Sequence, residues 1–205
     1  MAEAKIRFVA GNLLEVEGAM RFYLEYILGP VQDKEDIRLE YGFSGGALVS
    51  PNDWELFAAI LILQRKSTER YGHDLAGAEV KSAKLGGGFE YQYHLKTGEQ
   101  KLENDPLVDH VFIVYSEDYQ DVTVLVVTGH ALRDKFDAWK PQLQANYASR
   151  RDDSDGAVKQ RFRRSINHVT VIERGRAILE IRNGQLHHAS PEPLLMILPG
   201  RSQSG

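Results

Sequence analysis

Apolar side chains recur every three to four residues in three long stretches, a spacing that predicts amphipathic helices. The three stretches are residues 12–28, 52–71 and 131–148. A shorter and more polar helix is expected at residues 97–105. Gly29 and Pro30 are expected to end the first helix, because both residue types favour helix ends. Asn52 or Asp53 is the expected N-terminal cap of the second helix.

Other stretches have the patterns of β-strands. Residues 89–95 alternate between apolar and polar side chains, whereas 110–115 and 122–128 are nearly continuous apolar runs, typical of strands buried on both faces. Further short strands are expected at 37–41, 47–50, 78–83, 168–173 and 176–182. The last two would be joined at Gly175. The pattern predicts an α/β fold, in which helices sandwich a mixed sheet of about five strands and a β-hairpin extension follows residue 160.

Length and composition limit the class of protein. A chain of 205 residues is expected to form one domain. It contains no cysteine, which excludes disulfides and thiolate metal sites. No stretch approaches the roughly 20 apolar residues of a membrane span. We therefore expect a soluble, cytoplasmic protein with no membrane partner.

The net charge of −4 does not favour a nucleic-acid partner, but its distribution is uneven. Residues 159–182 hold seven bases against two acids: Lys159, Arg161, Arg163, Arg164, Arg174, Arg176 and Arg182 against Glu173 and Glu180. A local basic segment on an acidic protein suits contact with phosphates. A solvated basic face is the alternative interpretation.

The residues most informative about chemistry are two acids and a lysine around a glycine turn. On a strand, Glu79 and Lys81 project from the same face, and a turn at Gly77 would bring Asp74 beside them. Two carboxylates, with the backbone carbonyl of Val80, would offer oxygen ligands to a hard cation such as Mg²⁺. An ion pair on a solvated hairpin is the alternative.

The spacing of Asp74, Glu79 and Lys81 resembles the Asp-(x)n-(Asp/Glu)-x-Lys site of the PD-(D/E)xK nuclease superfamily. His73 replaces the proline of the nominal Pro-Asp pair. The resemblance covers roughly residues 53–140, within a catalytic core of about 50–148, followed by a basic segment and hairpin at about 157–186. It implies a restriction-endonuclease-like fold and a type II restriction endonuclease that hydrolyses double-stranded DNA with Mg²⁺. Asp74, Glu79 and Lys81 would be catalytic, and Asp74, Glu79 and Val80 would hold the metal.

DNA contacts are predicted from residue type and position, because arginine suits guanine and asparagine suits adenine in the major groove. The predicted contacts are Arg161, Arg163, Arg164, Asn167, Lys84, Gln92 and His94. Cutting both strands of a palindrome would require a two-fold homodimer, since one chain carries one cutting centre.

Several alternatives stay open at this stage. Glu55 or Glu69 could supply an additional acid near the metal, or both could be exposed helix charges. His73 could contact phosphate or have a structural role. The function could instead be that of a repair, recombination or phage-type DNase of the same superfamily. It could also be a non-catalytic DNA-binding or protein-binding module, or an α/β interaction protein without a DNA role.

Overall fold

A computed structural model of the protein describes residues 5–7, 13–42, 47–68, 72–148 and 161–190. Its centre is a mixed sheet of five strands in the order β3-β5-β6-β8-β9. These strands are Ala78–Lys84, Asp109–Tyr115, Val122–Thr128, Arg176–Arg182 and Gln185–Ala189. Only the pairing of β3 with β5 is parallel, and β3 forms one edge of the sheet. The predicted mixed sheet of about five strands is confirmed.

Two smaller sheets, six α-helices, one π-helical segment and two short 3-10 helices complete the described elements. Strands β1 (Lys5–Arg7) and β2 (Leu13–Glu15) pair with each other, as do β4 (Gly88–His94) and β7 (Arg161–Asn167). The helices α1 to α6 are Val16–Phe22, Gly29–Glu40, Pro51–Leu61, Gly98–Asn104, Arg133–Ala148 and His168–Arg174.

The central sheet is buried on both faces, as the apolar runs of β5 and β6 predict. Val111 and Ile113 pack with α1 and α3 on one face. Phe112 and Val114 pack on the other face with α5 and the inner side of the β4–β7 sheet. The second layer on that face is therefore partly a β-sheet, which places two strands where only helices were expected.

The N-terminal helices differ from the prediction. Gly29 and Pro30 do not end the helix, because a π-helical segment, Tyr23–Leu28, leads directly into α2. Pro30 lies in the first turn of α2, where the N–H that it lacks is not needed. The strand predicted at 37–41 is therefore wrong, and 47–50 is not a strand either.

The second predicted helix is shorter than expected, and its cap is different. Ser50 caps α3 in a reciprocal capping box with Asp53. The helix ends at Leu61 rather than at about 71, and Leu63 adopts a left-handed backbone conformation with φ of 52°. The chain reverses there and runs back beside the segment that carries Asp74.

One strand prediction in the second half is wrong, while the strand predicted at 176–182 is confirmed but belongs to the central sheet. Residues 168–173 form helix α6 rather than a strand, with Asn167 as its cap. The predicted hairpin extension does not stand apart from the core, because β8 and β9 are the last two strands of the central sheet. Similarly, β3 and β4 do not form a hairpin but belong to different sheets.

Some predictions lie outside the described residues. These concern Glu69 and the start of the basic segment at about 157. Among the helices that the structure describes, none combines the length and apolar character needed to cross a membrane.

Candidate active site at the edge of the central sheet

The loop before β3 positions Asp74 beside the edge strand. Residues 64–67 run antiparallel to residues 74–77, with Ser67 N–H donating to the Asp74 carbonyl at 3.1 Å and Ala76 N–H to the Arg65 carbonyl at 3.0 Å. The Asp74 carboxylate in turn accepts a hydrogen bond from Val80 N–H at 3.0 Å. These contacts fold the chain back at Gly77, as the spacing of the motif predicts.

The structure brings Asp74, Glu79 and Lys81 together. Lys81 Nζ lies 2.6 Å from Glu79 Oε1, 3.4 Å from Asp74 Oδ2 and 3.0 Å from the Val80 carbonyl oxygen. The three oxygens that the motif proposes as metal ligands thus converge on a single cation, the Lys81 ammonium. The ammonium also lies 5.3 Å from the centre of the Tyr91 ring, a cation–π distance.

Two residues that were not predicted as site residues, Lys101 and Asp105, complete the cluster. Lys101 Nζ lies 2.9 Å from Glu79 Oε1 and 3.1 Å from Asp105 Oδ1. Lys101 is on α4 and Asp105 directly follows that helix, so their spacing of four residues puts them on one helix face. Spacing alone could have paired them with each other. It could not have shown that α4 lies against Glu79, which depends on long-range packing.

A network of hydrogen bonds surrounds Asp105, which is fully buried. Tyr93 donates its hydroxyl to Asp105 Oδ2 at 2.7 Å, and His110 Nε2 lies 2.8 Å from the Asp105 carbonyl oxygen. A carbonyl oxygen only accepts, so Nε2 carries the proton, and Nδ1 accepts from the Tyr91 hydroxyl at 2.8 Å. His73 Nε2 lies 3.3 Å from Asp105 Oδ1, without the alignment of a hydrogen bond.

The charges of the cluster follow from these contacts. Burial alone would raise the pKa of Glu79, but Lys81 and Lys101 outweigh it and leave that pKa below its ordinary value. Burial would lower the pKa of Lys81, yet Glu79 and Asp74 raise it. Lys81 therefore remains an ammonium at neutral pH, which suits stabilisation of negative charge better than removal of a proton.

Two buried polar atoms without a hydrogen-bond partner among the described residues lie in this cluster, Glu79 Oε2 and His73 Nε2. Glu79 is only 2% exposed, and its Oε2 has no hydrogen-bond partner among the described residues. Leaving a buried carboxylate oxygen unpaired is costly, so such an atom is a candidate ligand atom. Atoms of His73, Glu79 and Asp105 also lie within 4.8 Å of one another, although Lys101 already bridges the two acids of that group.

The register of β4 and β7 gathers most of the predicted DNA contacts on one face. Gln92 pairs with Arg163, His94 with Arg161 and Gly88 with Asn167, all on the side away from the aromatic core. The Arg161 guanidinium donates to Gln92 Oε1 at 3.1 Å. Five predicted residues from distant parts of the sequence therefore share one polar, solvent-facing surface, Gln92, His94, Arg161, Arg163 and Asn167.

Other predicted contacts lie elsewhere or are already engaged. Arg164 projects to the opposite side of β7, where it stacks on Phe162 and donates twice to Gln142 Oε1 of α5, at 2.8 and 2.6 Å. Asn167 Oδ1 accepts from Thr170 N–H as the cap of α6. Lys84 pairs with Glu117 at 2.8 Å on the surface. These contacts would have to be exchanged for DNA contacts on binding.

Glu55 lies on α3, close enough to the site for the charge of Asp74 to influence its pKa. Burial and the Asp74 charge raise its pKa, while Lys66 and Lys81 oppose the rise. It lines a cleft together with Asp74. Glu55 is half-buried rather than fully exposed.

Comparison with known proteins assigns no family. No protein-family model matches the chain, and no curated protein matches it either. The geometry of the cluster and the motif that forms it therefore carry the functional argument.

Proposed function

We propose that this protein is a metal-dependent phosphodiester hydrolase acting on double-stranded DNA, of the type II restriction endonuclease kind. The observation that carries the proposal is the convergence of Asp74 Oδ2, Glu79 Oε1 and the Val80 carbonyl on one cation. Together with the motif spacing, this convergence favours a nuclease site over a solvated ion pair, since Glu79 is buried.

The donor set suits Mg²⁺, because all three atoms are oxygens and Glu79 Oε2 is buried without a partner. Asp74, Glu79 and the Val80 carbonyl would hold the ion. When bound, Mg²⁺ supplies charge neutralisation at the phosphate and activation of a water. Lys81, kept protonated by the two carboxylates, would stabilise the negative charge that develops on the phosphate oxygens.

Recognition is proposed for the outer face of the β4–β7 sheet. A two-stranded ribbon is one of the elements that the major groove admits. Arg161, Arg163, Gln92 and His94 offer donors and acceptors there, and Asn167 lies at its end. Arg164 and Lys84 would contribute phosphate contacts only after leaving Gln142 and Glu117. A two-fold homodimer would supply the second cutting centre that a palindrome requires.

The test is digestion of a long DNA of known sequence, with Mg²⁺ or with a chelator. We expect discrete fragments with Mg²⁺ and none without it. Asp74→Asn and Lys81→Met should each reduce cleavage by about 10²-fold or more. Asp74→Asn should retain binding to the duplex. Asp36→Asn and Lys34→Met, exposed on α2, are controls for the loss of one charge. Undiminished cleavage by Asp74→Asn, or intact DNA after incubation of wild-type protein with Mg²⁺, would overturn the proposal.

A further inference from the structure

A cleft of about 470 Å³ opens beside the carboxylate cluster, between α3 and the chain that runs back towards β3. Its volume is in the range of ligand-binding clefts. Asp74 belongs both to the wall of this cleft and to the cluster around Lys81. The described residues that line it are Asn52, Glu55, Leu56, Ala59, Ile60, Gln64, Arg65, Lys66, Asp74 and Leu75.

The walls of the cleft differ in chemistry. Leu56, Ala59 and Ile60 form an aliphatic wall along α3, and Leu56 is 50% exposed despite its size. Arg65 and Lys66 line the cleft from the returning chain, and both are exposed. Neither forms an ion pair within the part of the chain that the structure describes. An exposed aliphatic wall beside two unpaired cations suits a ligand with apolar and anionic parts.

The two cations are held in a fixed relation to Asp74. The Arg65 carbonyl accepts from Ala76 N–H, and Lys66 pairs with Leu75 in an isolated β-bridge. Gln64 Oε1 accepts from Gly77 N–H at 3.0 Å. The backbone that carries the cations is therefore bonded to Asp74 and to the three residues that follow it, so an anion bound to Arg65 and Lys66 would lie directly beside the cluster.

We propose that this cleft binds the sugar–phosphate backbone of the cleaved strand next to the scissile phosphate, with Arg65 and Lys66 as its phosphate ligands. This inference rests on the proposed function. The deoxyribose would lie against the aliphatic wall and the neighbouring phosphates against the two cations. A polyanion is favoured over a neutral ligand because neither Arg65 nor Lys66 forms an ion pair with an acid among the described residues. The phosphates of the DNA strand would lie at Arg65 and Lys66, because the other charged residues that line the cleft, Glu55 and Asp74, are acidic.

The experiment is equilibrium binding of a fluorescent DNA duplex over a series of salt concentrations, with a chelator present to prevent cleavage. The double variant Arg65→Gln/Lys66→Gln should bind about 10- to 100-fold more weakly near 0.1 M salt. The slope of log affinity against log salt should fall by about 1.8, or about 0.9 for each lost phosphate contact. Both effects should be the same for unrelated duplex sequences, because backbone contacts carry no sequence information.

The matched control is Lys34→Gln/Arg38→Gln on α2, which also removes one lysine and one arginine and should leave both affinity and slope unchanged. Circular dichroism and the unfolding midpoint establish that each variant is folded. If wild-type protein binds DNA and the Arg65/Lys66 variant binds with the same affinity and slope, the cleft proposal is overturned and the proposed function is untouched. If wild-type protein does not bind duplex DNA even at low salt, the proposed function fails and this inference fails with it.

Discussion

Asp105 and Asp109 are four residues apart and both buried, yet their surroundings drive their ionisation in opposite directions. Burial would raise the pKa of Asp105, but His73, Lys101, His110 and Tyr93 outweigh it and bring the pKa to about 2. Asp109 is 3% exposed and its Oδ2 has no partner in the described structure, so burial raises its pKa to about 7. Partners, rather than depth, determine whether a buried carboxylate keeps its charge.

The comparison bears on the candidate site, because only the partnered acid is connected to it. Lys101 bridges Asp105 and Glu79, so the orientation of Glu79 depends on a charge located outside the motif. Asp109 opens β5 beside Ala78 and forms no ion pair with the described residues. The buried charges of Lys101 and Asp105 thus support the three-residue motif on the side of Glu79.

Removing the Asp105 charge should have the largest effect. Asp105→Asn leaves Lys101 buried with one partner fewer and should destabilise the protein by about 3–5 kcal/mol. Because folding lowers the pKa of Asp105, its contribution is present above about pH 4 and is lost as the pH falls towards 2. Urea unfolding between pH 3 and 7 measures this, and the difference between wild type and variant should shrink at the acidic end. A constant difference would contradict the assignment.

The opposite sign is expected at Asp109. Its folded pKa of about 7 lies above the ordinary value, so the wild-type protein loses stability as the pH rises from about 4 through 7. Asp109→Asn removes this loss and should be more stable than wild type by roughly 2–4 kcal/mol at pH 8, with little gain at pH 4. Urea unfolding at both pH values is the measurement. Asp36→Asn, on the exposed side of α2, controls for loss of a carboxylate, and an equal gain in that variant would refute the explanation.

The same contrast shows what could be predicted from the sequence. Period-two alternation correctly placed Glu79 and Lys81 on one face, and the apolar runs correctly located β5 and β6. These signals are local. The contact of Lys101 with Glu79 depends on how α4 packs across the sheet, and no spacing encodes it.

Local preference also misled in one place. Residues 168–173 are rich in β-branched side chains and were predicted as a strand, but they form α6. Val171 of this helix is buried where α6 packs on β6 and β7, while Val169 and Ile172 are exposed. The cap at Asn167 and tertiary packing therefore override the strand propensity of the segment.

A smaller effect is expected when Asp105 loses a neutral partner instead of its own charge. Tyr93→Phe removes the hydrogen bond to Asp105 Oδ2 and should cost about 1.5–3 kcal/mol, because bonds to charged groups are stronger than neutral ones. Tyr91→Phe is a matched control, since its hydroxyl bonds the neutral His110 ring, and should cost about 0.5–1.5 kcal/mol. Thermal unfolding of both variants measures the difference. Equal losses would show that the charge of Asp105 does not strengthen its bond to Tyr93.

The smallest effect is expected at the ion pair of Lys84 with Glu117, on the same strand as Lys81. Its 2.8 Å distance is as short as the contacts of the buried cluster, but both side chains are exposed and screened by solvent. Lys84→Gln should leave the unfolding midpoint unchanged within error, at low and at high salt. Lys81→Gln, three residues earlier, leaves Glu79 with one ammonium instead of two and should lower the midpoint measurably. A clear loss of stability in Lys84→Gln at low salt would mean that a short distance matters even where burial is absent.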